Sequence, residues 1–386
     1  MDDEEDLTMR MNQATDVAVI GGGVEGCSIA YQLSKAGVRV SVIEREEIAS
    51  EASSAAAGLL APAGVLTGPK AGADLFFASW SMTPALIEEI EAVSGVHVEY
   101  QQTGSLHVVT DEDQEEHVRQ YEQAWRARNT HVEWMRGAEL RRDEPLLNPE
   151  ITTALALPHA SSIRPRLMTK AYAEAARTLG AHVYEHMEAT GFRLSGSKVT
   201  GIETARGETI ACERVVIAAG AWSAQVGQWL GLEIPVFPAR GQILSLWQLK
   251  TALKHTIFGR DIYVVPKVDN TIYIGATVER VGFEKRNTAG GVLWLLQRAL
   301  NLLPQLEGAE LAHIWSGLRP ASQDSYPILG KAAPWENVFL ATGHGAGGFE
   351  LSAITGQTIA ELMMTGRTPP LIQPFGIDRF AEQAHV

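Results

Sequence analysis

Val17-Ala18-Val19-Ile20 is an unbroken apolar run containing β-branched residues, the pattern of a strand buried on both faces. From Val24 the apolar period changes: Ile29, Ala30, Leu33 and Ala36 share one helical face. Gly37 then stops the helix as a C′ residue. Val38, Val40, Val42 and Ile43 predict a second strand ending at Glu44, so the first segment reads as a βαβ unit. Three consecutive glycines, Gly21 to Gly23, occupy the first strand-to-helix turn. Bare backbone costs conformational entropy, so something must approach it closely there.

The same logic returns much later in the chain. "RVVIAAGAWS" (Arg214 to Ser223) is another buried strand, ending at Gly220. Val338 to Ala341 predicts a strand, Gly343 to Gly348 a glycine-rich turn, and Ser352 to Met364 a helix. Between these segments "GSLHVVT", "QILSLW", "IYVVPK" and "TIYIGAT" predict strands of a different sheet. "DEDQEEHVRQYEQAWRARN" predicts an exposed, highly charged helix.

Composition narrows the function classes. A chain of 386 residues with 45% hydrophobic and 20% charged residues suits a soluble protein of more than one domain. The formal net charge of −14 gains nothing from counterion release on nucleic acid, which argues against a nucleic-acid partner. No apolar run reaches the length of a membrane span, and no basic-then-apolar leader is visible. Two cysteines, Cys27 and Cys212, make no disulfide framework and suit the cytoplasm. The opening "MDDEED" belongs to an acidic tail, residues 1–13, expected to be disordered. No metal site is expected: the chain has no H-E-x-x-H and no C-x-x-C, and His182 and His186 fall on a strand-like "AHVYEH".

The candidate chemistry starts at Gly21-x-Gly23-x-x-Gly26. Gly21 permits a tight turn, Gly23 lets backbone approach a pyrophosphate, and Gly26 lets helix and strand pack closely. The helix N-terminus offers N–H groups and partial positive charge to phosphates. Glu44, 18 positions past Gly26, stands where an acid accepts hydrogen bonds from a ribose and repels a 2′-phosphate. These features predict dinucleotide binding without separating NAD from FAD. Small residues in "EASSAAAGLLAP" suggest either backbone lying against a flat, bulky group or a close-packed loop. The second glycine-rich turn suits a ligand longer than an adenylate, with a helix N-terminus favouring the negative charge of a reduced flavin.

The chain resembles the FAD-dependent amino-acid oxidases of the glycine oxidase and D-amino-acid oxidase superfamily, to which sarcosine oxidases are related. The likeness is carried by "VIGGGVEGCSIAYQL", "SSAAAGLLAP", "VVIAAGAWS", "YVVPK…IYIGAT", "WSGLRPASQDSYPILG" and "ATGHGAGGFELS", in order along nearly the whole chain. It implies non-covalent FAD, since neither cysteine lies in a flavin-attachment segment. FAD would meet Gly21, Gly23, Val24, Glu25 and Gly26, with Glu44 and Arg45 at the ribose and Gly220 at the end of its strand. The flavin edge would meet Ser53, Ser54, Ala57, Gly58 and Leu59, and the C-terminal loop His344, Ala346, Gly347, Gly348, Phe349, Glu350 and Leu351.

The resemblance also implies that Arg319, in "GLRP", and Tyr263, in "DIYVVPK", hold the substrate carboxylate. A planar guanidinium suits that task, and Pro320 keeps Arg319 extended. A surface salt bridge and a core tyrosine are the plainer readings of the same two residues. Two departures from glycine oxidases are Val278, in place of a larger apolar residue over the site, and Ala346, in place of an arginine. The implied activity is oxidation of a small amino acid or amine such as glycine or sarcosine, with hydride passing from Cα to flavin N5 and O2 then giving H2O2. A D-amino-acid or proline-type dehydrogenase feeding a quinone is the alternative. The implied fold class is α/β. A discontinuous Rossmann-like FAD-binding domain covers 14–95, 160–230 and 315–376, and an α+β substrate domain on an antiparallel sheet covers 96–159 and 231–314. Relatives imply a homo-oligomer by analogy alone.

Overall fold

The computed structural model describes residues 14–61 and 64–381, so the acidic tail lies outside the described residues. One sheet runs β17 (Ile328–Lys331), β18 (Val338–Thr342), β11 (Thr209–Ile217), β1 (Thr15–Ile20), β2 (Val40–Ile43), β8 (His182–Tyr184). Its five central strands are parallel, and β17 is antiparallel to β18. Numbered by their order along the chain, those five lie 3-2-1-4-5, the order that leaves a crevice where the winding reverses. Here that point falls between β1 and β11. β9 (Ala189–Ser195) and β10 (Lys198–Thr204) extend the sheet from β11 as an antiparallel hairpin.

Helix α1 (Val24–Lys35) connects β1 to β2 and packs between α4 (Pro165–Thr178) and α6 (Gly348–Thr365). Its N-cap, Gly23, offers no side chain, and Ser53 supplies the cap instead: Val24 N donates to Ser53 Oγ at 2.9 Å. Gly37, just past the helix, takes φ +80°. Helix α6 starts at Gly348, four residues earlier than expected, and its first turn buries Phe349 and Leu351. Helix α2 (Lys70–Ser94) covers α6 and α4. Helix α3 (Glu112–Arg126) is charged as expected but buries Val118 and Trp125; Asp111 caps it by accepting from Gln114 N at 2.8 Å.

The second sheet runs β16 (Leu311–Ser322), β12 (Val236–Trp247), β15 (Thr271–Gly275), β14 (Tyr263–Pro266), β13 (Thr256–Phe258), β4 (Ser105–Val108), β6 (Thr153–Leu157), β5 (Glu133–Arg136). It departs from the expected antiparallel sheet at one junction, where β4 and β13 pair in parallel. That junction joins the two chain segments inserted into the first domain. Helix α5 (Ala289–Leu302) packs on β12 and β15. Residues 315–322, grouped on sequence with the FAD-binding segments, run along β12 in this sheet, with Arg319 opposite Ala239. A two-stranded ribbon, β3 (Leu59–Leu60) with β7 (Ser161–Ser162), lies apart from both sheets.

The contact between α1 and β1 is backbone against backbone. A Cβ on Gly26 would stand 2.1 Å from Gly21 O, and one on Gly21 would stand 2.4 Å from Ala218 O. Gly21 also takes φ +111°, which L side chains avoid. Gly26→Ala should therefore cost about 2 kcal/mol of unfolding free energy, the scale of overpacking in a tight core. Gly290→Ala, in α5 with open space around it, should be neutral or stabilising. Urea unfolding of the two variants checks the pair; equal stabilities would contradict the packing argument.

Candidate active site

A cavity of about 560 Å³ opens at the carboxyl ends of β1 and β11 and reaches β12, β14 and β16. It lies between the two sheets, within the size range of cofactor and ligand clefts. Of the residues singled out on sequence, Gly21, Gly23, Val24, Glu25, Glu44, Arg45, Ser53, Ala57, Gly58 and Leu59 line it from the N-terminal segments. Gly220, Tyr263, Arg319, His344, Ala346, Gly348, Phe349 and Glu350 line it from the rest of the chain.

Four of those residues lie behind the wall rather than in it. Gly26 faces Gly21 O, as its packing role requires. Ser54 turns back on its own helical turn, its hydroxyl donating to Glu51 O at 3.1 Å. Gly347 caps α6 against the Phe76 ring, and Leu351 is fully buried in the core. Ser53 serves the glycine loop through Val24 N, not only the flavin-edge segment. Val278 is 75% exposed and forms no part of the lining, so it does not reshape the pocket.

The lining also contains residues that sequence reasoning passed over. Arg45 stacks on Trp222 with its guanidinium carbon 3.9 Å from the ring centroid. Trp229, Glu188, Phe258 and Gly241 complete the wall. Trp222 belongs to "VVIAAGAWS" and Arg45 was singled out at the ribose, but nothing in the sequence showed that the two would stack.

The residues fit FAD on the structure's own evidence. The cradle at Gly21 and Gly26 is one that a Cβ would fill. Glu44 is already oriented by backbone donors: Gly22 N at 2.6 Å on Oε2 and Glu46 N at 2.9 Å on Oε1. A carboxylate has about four acceptor positions, which leaves room for ribose hydroxyls. Lys267, buried behind the loop, donates to Ala57 O at 2.5 Å and Ile163 O at 3.1 Å, fixing the segment after Ser53.

At the second glycine-rich loop, Gly343 and Gly345 take φ of +74° and +56°. Gly345 N donates to Pro320 O at 2.8 Å, which joins this loop to the strand carrying Arg319. His344 turns inward, its Nε2 3.0 Å from Thr355 Oγ1 and 3.5 Å from Glu25 Oε2. Burial pushes Glu25 well above the usual carboxylate range, with Thr355 opposing, and pushes His344 down to about 3. Glu350, in the first turn of α6, is pushed up to about 7 by burial, partly offset by the bond from Ala61 N at 3.1 Å.

The clamp residues meet across β12 and β15. A Cβ on Gly241 would stand 2.2 Å from Arg319 Nη1, so only glycine lets the guanidinium lie there. Arg319 Nη1 donates to Thr277 O at 2.9 Å, and among the described residues no acidic side chain pairs with it. The Tyr263 hydroxyl lies against Arg319 and directly over Gly275, whose Cβ would come within 2.4 Å of it. Burial raises the Tyr263 pKa, and Arg319 only partly offsets this, so the hydroxyl stays protonated and can donate.

Glu350 generates a pH prediction for the flavin-free protein. Its folded pKa lies above the unfolded value, so its proton is retained in the fold after the unfolded chain has released it. Its contribution to stability is present at low pH and is lost as pH rises toward about 7. Glu350→Gln should therefore raise Tm relative to wild type more at pH 8 than at pH 5. An identical difference at both pH values would show that Glu350 does not titrate in this way.

The comparisons with known proteins agree with this geometry. The family model described as FAD dependent oxidoreductase matches residues 16–362. The chain is 34% identical over 371 residues to glycine oxidase of Geobacillus kaustophilus, covering 96% of this chain and 98% of that one. It is 31% identical to hydrogen cyanide synthase subunit HcnC of Pseudomonas aeruginosa, covering 96% and 97%. The crystal structure of the Geobacillus kaustophilus glycine oxidase superposes with a TM-score of 0.90 over 95% of this chain and 99% of that one. With two glycine-rich loops closing on one crevice and a family match over most of its length, the chain belongs to the FAD-dependent oxidoreductases.

Proposed function

We propose that this protein is an FAD-dependent oxidase of a small amino acid or amine, with glycine and sarcosine the first candidates. The observation that supports it most is the contact of Arg319 and Tyr263 within the crevice that the two glycine-rich loops enclose. A guanidinium without an acidic partner among the described residues, beside a neutral phenol, is a receptor for a carboxylate. The names of its relatives, glycine oxidase and hydrogen cyanide synthase subunit, support an amino acid as the ligand.

FAD, held by the Gly21–Gly26 turn, Glu44 and the Gly343–Gly348 loop, would supply the two-electron acceptor for oxidation of the substrate Cα–N bond, with O2 as the terminal oxidant. The chain's own residues orient the reaction. Arg319 and Tyr263 fix the carboxylate at one end, which limits the substrate to poses that present Cα to the interior of the crevice. Gly241 and Gly275 keep the floor beneath the clamp free of side chains. Cα gives up its hydrogen as hydride, which needs the nitrogen lone pair, so the reactive form of the substrate is the free amine and kcat/KM should rise with pH.

A peroxide-coupled screen of glycine, sarcosine, D-alanine, D-proline and L-proline tests the reaction class. Arg319→Ala should retain FAD and raise KM by roughly 100-fold, the scale of a lost bidentate ion pair. A screen in which substrates bleach the flavin without forming peroxide would favour a dehydrogenase. Unchanged KM in the variant would remove the clamp.

A further inference from the structure

Arg319 must reach across β12 to be useful, and a long side chain that does so loses rotamer freedom. Among the described residues its backbone acceptor is the Thr277 carbonyl, 2.9 Å from Nη1. Thr277 begins a segment, 277–288, most of whose residues after Thr277 are exposed. A carbonyl there is a fixed acceptor only if something anchors the segment.

The anchor is a polar network centred on Glu279, a half-buried carboxylate paired with the buried Arg240. Thr277 Oγ1 donates to Glu279 Oε1 at 2.6 Å and accepts from Gln242 N at 2.9 Å. Gln242 Nε2 donates to the same carboxylate oxygen at 2.7 Å, and Arg240 Nη2 donates to Glu279 Oε2 at 2.6 Å. Arg240 and Glu279 also exchange backbone hydrogen bonds, both at 2.9 Å. Gln242 Oε1 accepts from Thr288 N at 2.8 Å, which ties the far end of the segment to the N-cap of α5. Burial raises the Glu279 pKa, but the bonds from Arg240, Thr277 and Gln242 outweigh it and hold the carboxyl at about 2. The acceptor is therefore ionised throughout the working pH range.

Three successive residues of β12 divide the task. Arg240 and Gln242 point to one face and hold Glu279, while Gly241 leaves the opposite face open for the Arg319 guanidinium. We propose that Glu279 is a positioning residue for Arg319: acting through Thr277, it fixes the carbonyl that holds the guanidinium ready for the substrate carboxylate. The proposal rests on the reading of Arg319 as the carboxylate clamp.

The test uses the FAD-loaded enzyme and acetate, a carboxylate with no amine to oxidise, whose binding is read from the perturbed flavin absorbance. Glu279→Gln should raise the acetate Kd and the glycine KM about tenfold, the cost of re-immobilising one long side chain on binding, with kcat changed far less. Thr277→Val keeps the Arg240–Glu279 pair and removes the hydroxyl that bonds Glu279 Oε1 and Gln242 N, so it should weaken acetate in the same direction. This variant decides the matter if Glu279→Gln does not fold. In an Arg319→Ala background Glu279→Gln should have no further effect on acetate, because the two residues act in one chain. A merely structural role would lower Tm or FAD retention and leave the acetate Kd of the loaded enzyme unchanged. The proposal is overturned if both variants bind acetate within twofold of wild type, or if Glu279→Gln weakens it equally without Arg319. When Arg319→Ala alone weakens acetate, that failure leaves the clamp standing. When Arg319→Ala binds acetate as wild type does, the clamp and the positioning role fall together.

Discussion

The crevice exists because backbone touches backbone where other folds would interpose side chains. Gly26 on Gly21 and Gly21 on Ala218 bring α1, β1 and β11 so close that no Cβ fits between them. That closeness aims the N-terminus of α1 at the crevice and leaves a groove along the bare turn. Ser53 and Glu44 then occupy the rim by bonding the first free backbone N–H groups, those of Val24 and Gly22. The order of the parallel strands puts the groove at the one place where neighbouring connections diverge. The groove depends on this packing, and the second sheet closes over it with Arg319 and Tyr263 on its inner side.

The second glycine-rich loop repeats the device with different electrostatics. Helix α6 directs its N-terminus into the crevice, yet two acids, Glu25 and Glu350, stand beside its first turn. Ionised, they would cancel the helix's positive end. Burial keeps both acids toward their neutral forms, so the field survives for a ligand that gains negative charge. Ala346 brings no charge to the lining, so the helix and its backbone N–H groups are left to supply that positive field.

Local features were legible in the sequence; features made by distant strands were not. The first βαβ unit could be read because its periodicity, its stop at Gly37 and its acid at Glu44 all lie within thirty or so residues. Arg319 and Tyr263 were legible only through their motifs, since their meeting depends on Gly241 and Gly275, one on each of two other strands. The parallel pairing of β4 with β13 could not be foreseen, because it joins segments about 150 residues apart with nothing local to mark it. For the same reason nothing local marked residues 315–322, grouped on sequence with the FAD-binding segments, as a strand that pairs along β12 in the second sheet. Glu279 carried no sequence signal at all until Arg240, Gln242 and Thr277 were seen around it.

Binding of two flavins to the stripped protein probes the shared crevice most directly. FAD bound in the crevice would reach both glycine-rich loops, whereas FMN lacks the adenylate half that would lie on the Gly21–Gly26 turn. Fluorescence titration should find one FAD per chain and FMN at least about 100-fold weaker, the loss expected when the diphosphate and ribose contacts are removed. FMN binding as tightly as FAD, or no binding of either, would contradict a single cofactor bridging the two loops.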